Sequence, residues 1–170
     1  MKKVLIFIFL IASTKLFSQI ILSTDTTVCG SQTLNLYSIS ASVDSFVTDD
    51  TYTQSIDLGF DFDFYGITYN KILISSNGYV TFDTSNAGGY SPWAINAAIP
   101  NPGTPPENSI LVTWQDTDPG FSGAIYFGSY GASPNKVYIV TWCGLAMFSC
   151  NNLIYTSQLR LYEGSNKIEM

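Results

Sequence analysis

Between residues 56 and 64 the chain alternates without a break. Ile56, Leu58, Phe60, Phe62 and Phe64 fall on one side, and Asp57, Gly59, Asp61 and Asp63 on the other. A period of two over this length predicts a strand with one buried and one wet face. Tyr65-Gly66 interrupts it. Strand character resumes from Tyr69 to Ser75 through Ile72, Leu73 and Ile74, and Tyr79, Val80 and Phe82 form a return strand. Asn77-Gly78 between them predicts a tight hairpin, because both residues tolerate positive φ.

Residues 83–108 break the pattern. They are rich in Gly, Pro, Ser and Asn and include PNPGTPP at 100–106. The prolines exclude a helix and a central strand. This reads as a long loop with Tyr90, Trp93 and Ile95 packed beneath it, of a length often tied to function. Apolar stretches return at 110–114, 124–127, 137–142 and 154–162, with turn residues at 118–120, 131–135 and 163–166. Beyond residue 18 no helical period persists, and no internal repeat is found. The expected fold is all-β, an antiparallel β-sandwich or jelly-roll-like domain over residues 53–170. A Ser/Thr-rich segment, 19–52, precedes it with room for edge strands. Lys167, Ile168, Glu169 and Met170 alternate like the opening of a strand, which suggests a domain truncated at its C-terminal end.

The first 18 residues read differently. Lys2 and Lys3 precede an apolar run at 4–12, and small polar residues lead to a cleavage point near Ser18. This is the pattern of a secretory signal peptide, and the run is too short to span a bilayer. Past the cut, four basic residues face 13 acidic ones, a net charge of −9. Such a chain repels phosphate backbones, so nucleic acid is excluded as a partner and a secreted location fits. In an exported protein Cys143 and Cys150, with six residues between them, predict a local disulfide. Cys29–Cys143 and Cys29–Cys150 are the other pairings that three cysteines allow. A zinc site would need more ligands than three cysteines in a chain without histidine.

The stretch LGFDFDFYGITYNKILISSNGYVTF resembles the core motif of nidogen-like extracellular domains: a strand ending in F-x-F-Y-G, a Tyr, then S-S-N-G-Y-x-x-F. The later VYIVTW and SQLRLYEGSNKIE segments fit the same pattern. The resemblance covers residues 53–170 and is strongest to N-terminal domains of large secreted surface proteins of Bacteroidota-type bacteria. It implies an extracellular β-sandwich with adhesion or matrix roles, cell-surface attachment through modules beyond this chain, and no catalytic residues.

The side chains support few chemistries. Without histidine, Ser-His-Asp and Cys-His catalysis cannot be built. A carboxylate glycosidase would draw on Glu107, Asp116, Asp118 or Glu163, but their spacing selects no pair. Asp116 and Asp118 sit in a turn-forming D-T-D-P-G run, where two carboxylates and backbone carbonyls could reach Ca²⁺; Asp and Gly chosen for turn geometry explain the run equally well. No other cofactor is implied. Tyr90, Trp93 and Tyr130 are the loop aromatics that could meet a glycan or a protein. The expected function is a non-catalytic extracellular interaction or adhesion module. The alternatives are a carbohydrate-binding accessory module and, further off, a carboxylate glycoside hydrolase.

Overall fold

The computed structural model describes residues 44–94, 98–99, 101–102 and 106–170. The expected signal peptide at 1–18, Cys29, Ile95 and most of 19–52 lie outside the described residues. Among the described residues ten strands run β1 Asp44–Phe46, β2 Ile56–Phe64, β3 Ile67–Ser75, β4 Tyr79–Thr81, β5 Ser109–Leu111, β6 Thr117–Asp118, β7 Ala124–Tyr130, β8 Val137–Met147, β9 Cys150–Tyr162 and β10 Ile168–Glu169. They build two antiparallel sheets. One has the order β1-β7-β8-β9-β10, with β6 also paired to β8; the other has the order β2-β3-β4-β5. Among the described residues no helix is long and apolar enough to cross a membrane.

The alternation of β2 drives the packing. Leu58, Phe60 and Phe62 are buried while Asp57, Asp61 and Asp63 are exposed. The buried set joins Ile72, Ile74 and Val80 of its own sheet to Ile125, Val140, Trp142, Leu159 and Leu161 of the other in one core. Phe82 lies at its edge, stacked on Phe62 at 5.8 Å and on Tyr69 at 4.7 Å between centroids. Each such side chain contributes roughly 1.5–3 kcal/mol on full burial. The architecture is the expected β-sandwich.

Three features depart from the simple alternation. The β2–β3 register shifts between Asp57 and Phe62, where Gly59 takes φ +78° and its N–H donates to Asp57 Oδ1 at 2.7 Å. The strand therefore contains a bulge that leaves its alternation of burial intact. Next, β3 is buried on both faces from Ile72 to Ser75. Ile72 and Ile74 enter the main core, whereas Leu73 enters a second cluster with Tyr52, Tyr79 and Trp114. The continuous run Ile-Leu-Ile is the signature of that double burial. Finally, the Asn77-Gly78 hairpin is a three-residue turn between Ser75 and Tyr79, with only Gly78 at positive φ, and Asn77 is completely buried.

The sheet of β7, β8 and β9 extends further than the sequence pattern indicated. Strand β8 runs on through Cys143 to Met147, and β9 starts at Cys150. In this hairpin Met147 faces Cys150. Four residues of strand separate Cys143 from Met147, about 13 Å, whereas bridged cysteines need Cα atoms within about 7 Å. Both thiols are free and exposed. The expected Cys143–Cys150 disulfide is therefore not formed in this register.

Candidate functional site

The Ser75-Ser76-Asn77-Gly78-Tyr79 turn lies inside the protein, and its polar atoms tie three loops together. Asn77 Nδ2 donates to Asp50 Oδ1 at 3.0 Å and to the Ser91 carbonyl at 3.1 Å, while its Oδ1 accepts the Thr117 N–H at 3.1 Å. Ser76 Oγ accepts the Thr51 N–H at 3.2 Å, and its carbonyl accepts Thr117 Oγ1 at 2.8 Å. Ser75 Oγ bonds to Ser91 Oγ, and the Ser75 carbonyl accepts Trp142 Nε1 at 2.9 Å from the opposite sheet. Tyr79 Oη shares a 2.7 Å hydrogen bond with Tyr52 Oη and donates to the Pro92 carbonyl at 3.0 Å. Burial raises the pKa of both phenols, so they stay neutral hydrogen-bonding groups. Such a satisfied buried network rigidifies what it joins.

The turn also fixes the loop after β5. The Gly78 carbonyl accepts the N–H groups of Val112, Thr113 and Trp114. A Cβ at Gly78 would lie 1.9 Å from Thr113 Oγ1, so only glycine fits. Segment 50–53 is held on one side by Thr53 N–H to Ile74 O and Ser76 N–H to Thr51 O. On its other side Tyr52 N–H donates to Gly89 O and Ser91 N–H to Asp50 O. Together with Trp114 these loops cover the outer face of β3 and β4.

This cover presents one end of the domain to solvent, and it carries four carboxylates: Asp49, Asp50, Asp116 and Asp118. Asp116 has its pKa raised by burial and then by the charges of Asp50, Asp49 and Asp118; Asp49 is raised by burial, Asp50 and Asp118. Among the described residues no Lys or Arg pairs with them. Lys136 reaches the Gly59 carbonyl, and Arg160 and Lys167 pair with Glu169.

The expected site residues divide. Tyr90 and Trp93 flank the anchored Ser91-Pro92 and are 58% and 38% exposed, so they stand out from the loop instead of packing beneath it. Tyr90 lies within the electrostatic reach of Asp50 and Asp116. Tyr130 is the last residue of β7, paired with Val137, and not a loop residue. It lies about 20 Å along the strand from Ala124. Asp118 Oδ1 accepts the Phe121 N–H at 3.0 Å, so this carboxylate serves its own turn. Among the described residues no group of three or more His, Cys, Asp or Glu is arranged to hold a metal ion. Glu163 sits elsewhere, its carboxylate bonded to Ser133 and Lys136, with its pKa lowered first by the Lys136 N–H. An open groove of about 400 Å³ lies between β1, residues 48–56 and Phe127. It holds one carboxylate, that of Asp44, and none of the four acids considered for hydrolysis.

Sequence reasoning missed Asp49, Asp50, Phe121 and Phe148 at this end. The Asp-Asp doublet in a Ser/Thr-rich stretch was the one available signal. Their convergence depends on Asn77, whose burial no local pattern announces.

No curated protein and no solved structure matches the chain. A family model described as NIDO related matches residues 26–170, nearly the whole of it. That span contains the buried turn and every loop it anchors, and the chain belongs to the NIDO-related family.

Proposed function

We propose that this chain is a non-catalytic extracellular interaction module of the adhesive kind, binding through the loop end that the Asn77 turn holds in place. Membership of the NIDO-related family supports an extracellular interaction role. The observation that carries the choice of surface is the display of Tyr90 and Trp93. Both are exposed, and they flank two residues, Ser91 and Pro92, whose backbone is bonded to the buried turn. Aromatic side chains on a preorganised backbone bind at low entropic cost. Export would follow from cleavage near Ser18, which N-terminal sequencing of the secreted protein would check.

The test is adhesion of the purified chain to immobilised extracellular matrix proteins and to cells. Tyr90→Ala and Trp93→Ala are expected to reduce it several-fold, and Tyr130→Ala to leave it unchanged. Equal binding by all variants would reject this surface. The same exposed rings favour carbohydrate as a second reading, since they can stack on sugars. Selective binding on a glycan array, lost in Trp93→Ala, would favour that reading over adhesion to protein.

A further inference from the structure

Three exposed aromatic residues, Tyr90, Phe121 and Phe148, are held through their backbones to the segments that carry the four carboxylates. Phe121, 60% exposed, donates its backbone N–H to Asp118 Oδ1 and to the Asp118 carbonyl. Phe148, 51% exposed, donates its N–H to the Asp116 carbonyl at 2.9 Å. Tyr90 is bridged to Thr51, next to Asp50, whose carbonyl accepts the Ser91 N–H. The two groups meet at Asn77, which bonds Asp50 through one side-chain atom and the Thr117 N–H through the other. The Asp118 turn also approaches residue 47, since a Cβ at Gly120 would lie 3.8 Å from the Val47 carbonyl.

We propose that this ring-and-carboxylate surface docks an arginine-bearing extended segment of a partner protein. The proposal rests on the reading that this end is the binding face, and it names the chemistry bound there. A guanidinium suits the surface because its planar fork bonds carboxylates while its face stacks on aromatic rings. The described residues supply no cation of their own here, and a chain with a net charge of −9 beyond residue 18 draws cationic partners. The backbone bonds hold the acids in place beforehand, and an arriving cation relieves the mutual repulsion felt by Asp49 and Asp116. Ca²⁺ suits it less, since the described residues gather no three-ligand group.

The test uses the full chain and a short labelled peptide of alternating Arg and Ser, followed by fluorescence anisotropy. Binding is expected to weaken with added salt. Asp116→Asn, Asp118→Asn and Phe148→Ala should each cost about threefold to fivefold in Kd, the scale of exposed ion-pair and cation–π contacts. Asp61→Asn removes the same charge from the wet face of β2 and should change Kd by less than about 1.5-fold, the scale of a screened remote charge. A peptide with lysine in place of arginine should bind more weakly. No binding, an equal loss from Asp61→Asn, or complete displacement by millimolar CaCl₂ at constant ionic strength would overturn the proposal. Adhesion that depends on Trp93 without any binding of the arginine peptide would also overturn it, while leaving the adhesive function standing.

Discussion

Asn77 and Asp50 lie 27 residues apart in the chain and are joined by a 3.0 Å hydrogen bond from a fully buried amide to a carboxylate at the surface. Through this contact the interior of the sandwich sets the position of the acidic end. Asn77→Ala removes both side-chain donors and the acceptor for the Thr117 N–H, leaving buried groups unpaired. The expected loss is about 2–4 kcal/mol, roughly 5–12 °C in Tm for a domain of this size. Differential scanning calorimetry measures it, and a shift under about 2 °C would show that the network contributes little.

Gly78 is the second fixed point. Alanine there would meet Thr113 Oγ1 at 1.9 Å and must keep φ near +77°. Gly78→Ala is expected to destabilise by at least about 2 kcal/mol. Thr113→Ala should restore only part of it, because the backbone N of Trp114 remains 3.2 Å away. Urea unfolding of the single and double variants reads the coupling.

The acid cluster has a signed pH dependence. The Asp116 carboxyl is raised above 3.8 in the folded protein, so the fold binds its proton more tightly than the unfolded chain does. The cost of its charge is fully present at neutral pH and is lost as pH falls through the folded pKa towards 3.8. Asp116→Asn should therefore raise stability at pH 7 by about 0.5 kcal/mol, an advantage that fades as pH is lowered through that window. Glu163, whose pKa is lowered, runs the other way: its contribution is present above 4.5 and lost as pH falls below it. Thermal melts of both Asn and Gln variants across pH distinguish the two signs.

Cys143 and Cys150 give a covalent test of the β8–β9 register. Both thiols should react with an alkylating reagent in the native protein, and peptide mapping should find no link between them. A Cys143–Cys150 disulfide in the protein would require the hairpin to shift so that the two strand positions meet.

How much of this was legible in the sequence depends on whether the signal was local. The Phe/Asp alternation of 56–64 gave β2 its bounds and its buried face, because a period of two reports one packed side. Leu73 belonged to the same apolar run as Ile72 and Ile74, but its burial on the outer face depends on Tyr52 and Trp114 arriving from distant loops. Asn77-Gly78 marked a turn correctly, yet turn chemistry alone favours an exposed Asn. Its burial is imposed by Asp50, Ser91 and Thr117. Asp116 and Asp118 stood out by spacing, while Asp49 and Asp50 joined them only through pairing across the fold. The cysteine spacing misled because the six residues between Cys143 and Cys150 continue a strand and its hairpin instead of closing a ring.

The central claim, that Asn77 fixes the loop end, is tested most directly by native-state hydrogen exchange at the Thr117 amide. This N–H lies in a two-residue strand and donates to Asn77 Oδ1. It should exchange about as slowly as the Val140 amide at the centre of the large sheet, and become fast in Asn77→Ala while Val140 stays protected. Exchange of Thr117 at the rate of an open loop in the unaltered protein would contradict the claim.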